Sequence, residues 1–523
     1  MFDLVIKSGK VVDGTGNPWY RADIGIIGDK IVEIGRLTGD AEATINAEGL
    51  VVAPGFIDTH SHSDLILISE PEAKQKIMQG ITTEVVGQDG LGEAPLRDDI
   101  VDEWRRYLSG LNGDPDIDWS WRGFGEYLDA LEVARPSTNV LSLVGHGNIR
   151  ILAMGMENRQ PTPSELEEMK VLTEEAMKEG AFGLSTGLIY PPCVYANTEE
   201  LTELCRVAAA HSGVFVVHMR NEGERLLESI DEVTEIGRRS GAPVHISHFK
   251  ASGEENWGKV VDAIERIEEA RRDGVDVTAD QYPYIAGSTF LSSLLPAWAH
   301  EGGTERMLGR LRDQGTRARI AEEMTRSGRG QDWGWNNILI TSVKTEKNKR
   351  FEGVGLEDVA RARGQQPLET IFDIVLEEEN AATMASFGMC EEDVRTVMRA
   401  PFRMACTDGI IMGRPHPRVY GSFPRILGRY VREQGVLRLE EALRKMTSLP
   451  AQRFGLLDRG VLRPRMRADV TVFNPDTIID TATFQDPIRF PEGVEYVFVN
   501  GEMTVDRGMH TGARAGAVLR HRR

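Results

Sequence analysis

The sequence predicts an α/β protein: a TIM-type (β/α)8 barrel carrying a small β-sandwich domain built from both chain ends. Three observations predict it. The middle of the 523-residue chain alternates apolar β-rich runs with helical patterns, the signature of repeated βα units. Eight such runs can be counted, and polar, titratable residues gather where they end, as barrel sites do at the C-terminal ends of their strands. Residues 1–54 and 460–523 share a texture of short strands and turns unlike the middle.

In order along the chain, Leu4-Val5-Ile6-Lys7-Ser8-Gly9-Lys10-Val11-Val12 and Ala22-Asp23-Ile24-Gly25-Ile26-Ile27 read as strands, and Gly28-Asp29-Lys30 turns into Ile31-Val32-Glu33-Ile34. Ala468-Asp469-Val470-Thr471-Val472-Phe473 and Val494-Glu495-Tyr496-Val497-Phe498-Val499 are their counterparts at the far end. Between them, a barrel over 55–459 has runs ending near His60/His62, Asp89, His146, Ser185, His218, His248, Asp280 and Asp408. A helix is expected over 164–180, with Ser164 and Glu167 in capping-box spacing. An oversized connection, about 291–399, precedes the last run and contains a possible strand at Ile338-Leu339-Ile340-Thr341; it reads as an insertion at the barrel mouth.

Composition narrows the function. Hydrophobic content of 41% with 27% charged residues is ordinary for a soluble globular chain. A net charge of −20 argues against non-specific binding to nucleic acid or anionic membrane. Cys193, Cys205, Cys390 and Cys406 are widely spaced and suit a reducing compartment. No leader pattern opens the sequence and no apolar run reaches the ~18 residues of a membrane span, so a cytoplasmic protein is expected.

The strand ends carry the chemistry. In Asp58-Thr59-His60-Ser61-His62, two histidines at i and i+2 face the same side of an extended segment, and their imidazoles can converge on one metal ion. His218 and His248 end two further buried runs, and four histidines at barrel-strand ends point to a metal more strongly than any one of them. His245, at odd spacing from His248, faces away. Asp408 ends the last run, where a carboxylate can ligate a metal and take a proton from water whose pKa the metal lowers to about 7. Ser185 in Gly183-Leu184-Ser185-Thr186-Gly187 matches the Gly-x-Ser-x-Gly pattern, but no helix follows directly, as a nucleophile elbow requires. Gly145-His146-Gly147-Asn148 offers either a hydrogen-bond donor to the pocket or a tight turn.

These motifs resemble the amidohydrolase superfamily and, within it, the N-acyl-D-amino-acid deacylases (D-aminoacylases). The likeness runs nearly end to end, through Gly55-Phe56-Ile57-Asp58-Thr59-His60-Ser61-His62, Gly145-His146-Gly147-Asn148-Ile149-Arg150, His218-Met219-Arg220-Asn221-Glu222, Ile246-Ser247-His248-Phe249-Lys250, Tyr282-Pro283-Tyr284 and His416-Pro417-Arg418. The resemblance implies hydrolysis of a small N-acyl-D-amino acid, with one tightly bound zinc at His218 and His248 and a weaker second position at His60, His62 and Asp408. It implies Arg418, Lys250 and Tyr282, with Tyr190 and Ser288, on the substrate carboxylate and side chain. One departure stands out: the family's bridging cysteine is replaced by Asp89, in Gly87-Gln88-Asp89-Gly90. A carboxylate is a harder zinc ligand than a thiolate, so greater tolerance of manganese or cobalt and a fuller second position are expected, unless Asp89 only orients another ligand. A dipeptidase or cyclic-amide hydrolase using the same site is the alternative enzyme, and an inactive binding barrel the alternative of another class.

Overall fold

The computed structural model describes residues 1–326 and 334–521. Eight parallel strands form the barrel: β1 (Phe56–Asp58), β2 (Ile81–Val86), β3 (Asn139–Ser142, resumed after Leu143 by Val144–Gly145), β4 (Gly183–Gly187), β5 (Val214–His218), β6 (Val244–Ile246), β7 (Val277–Gln281) and β8 (Arg403–Ala405). Each pairs with the next in parallel. The ring joins between β8 and β1 just past the strand ends. There Ser61 and Gly409 form a parallel bridge, and the Asp408 N–H donates to the His60 carbonyl at 2.8 Å. Every residue of the eight strands is buried, which is why they read as apolar runs rather than alternating ones.

Alternation of strand and helix is as expected, with one cap displaced. The helix over 164–180 is Pro163–Glu179, and its capping box is Thr162 with Glu165, not Ser164 with Glu167. Proline explains the shift. Its fixed φ and missing N–H suit the first helical position, which makes Thr162 the cap.

Both chain ends enter one nine-stranded sheet, in which Val51–Pro54 from the N-terminal part pairs antiparallel with Val470–Phe473 from the C-terminal part. The sheet forks at Phe2–Val11, whose first half pairs with Ala41–Asn46 and whose last residues pair with Val51–Pro54. Ile6, Ile24, Ile31, Val52, Val470 and Phe498 pack between its arms. Asp469 ties this sheet to the barrel, accepting from Asn139 Nδ2 at 3.1 Å and from Arg459 at 2.7 Å.

An insertion over 291–399 is expected from the sequence; its own antiparallel sheet runs from Gly287–Phe290 to Thr383–Ser386 and includes Ile338–Ser342. Helix Glu391–Arg399 belongs instead to the barrel. Its Asp393 carboxylate accepts from the Gly258 N–H at 3.0 Å, and Val397 packs in the barrel core. Among the described residues, no helix is long and apolar enough to cross a membrane.

Candidate metal centre

The strand ends converge on Asp89. Strand β1 stops at Asp58, the chain bends at Thr59 and His60, and the Ser61 N–H then ties it back by donating to the Val85 carbonyl. His60 and His62 therefore bring their Nε2 atoms within 3.3 Å of each other. Asp58 fixes this junction from below, accepting from Lys76 Nζ at 2.6 Å and from the Thr407 N–H at 2.8 Å. Across the ring join, Asp408 Oδ1 lies 3.5 Å from His60 Nε2 and 3.2 Å from His62 Nε2. Four donors at 2.0–2.1 Å from one tetrahedral ion stand about 3.3 Å apart, so the spacing suits a shared cation.

Asp89 projects from the turn after β2. Its Oδ1 is 3.7 Å from His60 Nε2, 3.9 Å from His248 Nε2 and 4.0 Å from His218 Nδ1; its Oδ2 is 3.7 Å from His62 Nε2. The carboxylate thus faces all four histidines. Asp89 Oδ1 and both ring nitrogens of His218 are buried without a hydrogen-bond partner, and leaving such atoms unsatisfied is costly unless a cation takes them. Burial pushes the His218 imidazole down to about 3 and that of His60 well below its usual value, so both rings are neutral at pH 7 and offer lone pairs. Asp89, His248 and Asp408 also share a left-handed backbone, with φ of 58°, 36° and 49°. Three non-glycine residues strained in this way at one point, at about 1–3 kcal/mol each, mark a place where side-chain aim overrides backbone preference.

The site opens into a cavity of about 520 Å³, lined by His62, Asp89, His218, His248 and Asp408 and walled on one side by the insertion through Ser288, Phe290 and Met384. The amidohydrolase family model matches residues 43–505. The chain belongs to the amidohydrolase family. It is 37% identical to a D-aminoacylase of Alcaligenes xylosoxydans xylosoxydans, covering 99% of this chain and 97% of the relative, and 39% identical to an N-acyl-D-glutamate deacylase of the same organism, covering 95% and 93%. The crystal structure of N-acyl-D-glutamate deacylase from Bordetella bronchiseptica, complexed with zinc and a phosphonate mimic of the tetrahedral intermediate, superposes with a TM-score of 0.86 at 36% identity over 99% of each chain.

In this amidohydrolase, the Gly183–Gly187 and Gly145–Asn148 motifs hold the Asp89 turn in place. Ser185 Oγ accepts from the Gly90 N–H at 3.0 Å and donates to the Gly87 carbonyl, so it is bound into the turn rather than presented as a nucleophile. Asn148 accepts from the Gly92 N–H at 3.0 Å and donates to the Gly92 carbonyl at 2.8 Å. A Cβ at Gly187 would stand 2.6 Å from the Asp89 carbonyl, which requires glycine there. His146 is turned away, bound to Thr186 Oγ1 at 2.9 Å and Glu200 at 2.8 Å. His245 likewise points to Thr278 and Asp280, and Asp280 in turn accepts from the His248 N–H at 2.5 Å.

The expected substrate residues divide. Lys250, Tyr282, Tyr190 and Ser288 line the cavity. Arg418 is fully buried, with Nη1 2.8 Å from Asp408 Oδ2, Nη2 donating to the Ser288 carbonyl at 3.1 Å, and its guanidinium 4.6 Å from the Tyr282 ring centre. Burial alone would raise the Asp408 carboxyl, but Arg418, His60 and His62 hold it well below the usual range. Glu222 went unassigned in the sequence, although its i,i+4 spacing from His218 was a signal. Its Oε2 lies 3.6 Å from His218 Nε2 and its Oε1 lies 3.0 Å from His248 Nδ1.

Proposed function

We propose that this amidohydrolase cleaves the amide bond of N-acyl-D-amino acids, releasing a carboxylate and a D-amino acid, at a centre held by His60, His62, Asp89, His218, His248 and Asp408. The observation that carries the reading is the Asp89 carboxylate facing both histidine pairs, in a chain alike to such deacylases over nearly its whole length. Zinc suits the donor set of imidazoles and carboxylates, with a first ion at His218, His248 and Asp89 and a second at His60, His62 and Asp408. The oxygen ligand at Asp89 makes manganese and cobalt workable replacements. A metal bound here supplies a Lewis acid for the acyl oxygen and acidifies water to a pKa of about 7.

The remaining steps fall to the chain's own residues. Asp408, kept ionised by Arg418, takes the proton of the attacking water and passes it to the departing amine nitrogen. Lys250, Tyr282 and Ser288 hold the substrate carboxylate at the cavity wall, and Tyr190, fixed by its 2.8 Å bond to Thr289, bounds the space beside His218. The four cysteines are unpaired, which suits a cytoplasmic enzyme. The test is a turnover panel of N-acetyl-D- and N-acetyl-L-amino acids and dipeptides, with metal content measured alongside. Metal-dependent release of D-amino acids is expected; turnover of L forms or dipeptides alone would overturn the substrate class.

A further inference from the structure

His248 Nδ1 has two neighbours with opposite demands. Glu222 Oε1, which only accepts, lies 3.0 Å away, and Lys250 Nζ, which only donates, lies 2.8 Å away. One ring nitrogen cannot serve both. If Nδ1 carries the proton, it bonds to Glu222; if it does not, it accepts from Lys250. Lys250 has three N–H groups and three acceptors around it: Glu222 Oε1 at 2.7 Å, the His248 carbonyl at 3.0 Å and His248 Nδ1. Lys250 and Glu222 both line the cavity.

We propose that Glu222 is a positioning residue shared by the metal centre and the substrate grip: it fixes the His248 proton on Nδ1 and, by doing so, frees one Lys250 N–H for the substrate carboxylate. The chemistry follows from the ring. A metal on His248 Nε2, the nitrogen facing Asp89, needs the lone pair there, so the proton sits on Nδ1 and bonds to Glu222. Lys250 then has nothing to donate to at Nδ1, and its third N–H turns to the cavity. Metal binding and carboxylate binding thereby favour one another, and by linkage the coupling is reciprocal.

The inference rests on the deacylase reading for the role of Lys250, but its first readout does not need turnover. In zinc competition against a chelator, Glu222→Gln is expected to bind zinc roughly 10–100-fold more weakly, the usual cost of losing the partner of a metal-ligating histidine. Glu222→Asp recovers part of the loss, and Lys250→Met binds zinc at least as tightly as the wild type. With zinc saturating, Glu222→Gln raises KM for an N-acetyl-D-amino acid more than it lowers kcat. Calorimetry with a D-amino acid product, with and without zinc, shows tighter binding to the loaded wild type and no such gain in Glu222→Gln. Unchanged zinc affinity in a folded Glu222→Gln, judged by an unaltered melting curve of the metal-free protein, would overturn the proposal and leave Glu222 as a charge partner of Lys250. If Glu222→Gln does not fold, Glu222→Asp decides: wild-type zinc affinity and KM in that variant would overturn it. Absence of D-amino acid turnover in the wild type would overturn the deacylase reading and leave the zinc result standing.

Discussion

The two donor groups on either side of Asp89 are closed to different degrees. On the β1/β8 side, His60, His62 and Asp408 stand 3.2–3.5 Å apart, and Asp89 adds a fourth donor within 3.7 Å of both histidines. On the β5/β6 side, Asp89 Oδ1 stands 3.9–4.0 Å from His248 Nε2 and His218 Nδ1, while Glu222 faces the opposite ring nitrogens, 3.6 Å from His218 Nε2 and 3.0 Å from His248 Nδ1. Four protein donors describe a closed tetrahedral site; three leave a position for water, as catalytic zinc sites do. The difference teaches that one carboxylate can serve two tasks: Asp89 would be a fourth protein donor to a metal held at His60, His62 and Asp408, and a third to one held at His218 and His248. On the proposed reading, water is activated on the β5/β6 side, and the β1/β8 side holds Asp408 ready for its proton.

The sharpest way to break this comparison is to remove a histidine from each side. His218→Ala is expected to lower kcat about 10³-fold or more, since the several kcal/mol of charge stabilisation a metal supplies go with it, whereas His62→Ala keeps measurable activity and loses one bound metal. Equal losses, read by steady-state rates and metal content, would erase the distinction. Asp408→Asn is expected to cost roughly 10²–10⁴-fold in kcat with KM little changed, the range for a general acid–base group. A rise confined to KM would remove Asp408 from the proton path. Arg418→Ala tests what holds Asp408. The sequence placed Arg418 on the substrate carboxylate, with an effect on KM; the buried 2.8 Å pair with Asp408 predicts a loss of kcat and a stability cost of about 3–5 kcal/mol, visible in a denaturant melt. Ser185→Ala has the smallest effect, about 1 kcal/mol of stability and less than tenfold in rate, because Ser185 only braces the Asp89 turn. Loss of all activity would revive the serine nucleophile.

Much of this was legible in the sequence because parallel strands buried on both faces leave an apolar run, and their polar ends mark the mouth of the barrel. His60, His62, His218, His248 and Asp408 were found in that way. What was not legible depends on aim rather than position. Arg418 lies near the mouth, as its place after β8 suggests, but its guanidinium turns inward to Asp408 beneath the Tyr282 ring. Ser185 sits in a pattern that fits a nucleophile, and only its bonds to Gly87 and Gly90 give its task. Glu222 is one carboxylate among many in the sequence; its meaning comes from two contacts made across the loop after β5. Helix Glu391–Arg399 has no sequence mark to show whether it packs on the inserted sheet or on the barrel; its contacts with Gly258 and the barrel core give that.

The shared role of Asp89 is the centre of the account, and a zinc titration of Asp89→Ala against the wild type tests it most directly. Wild-type protein should bind zinc in two classes, and Asp89→Ala should lose affinity in both, because one carboxylate faces both donor groups. Unchanged stoichiometry and affinity in Asp89→Ala would contradict direct ligation and reduce Asp89 to orienting its histidine neighbours.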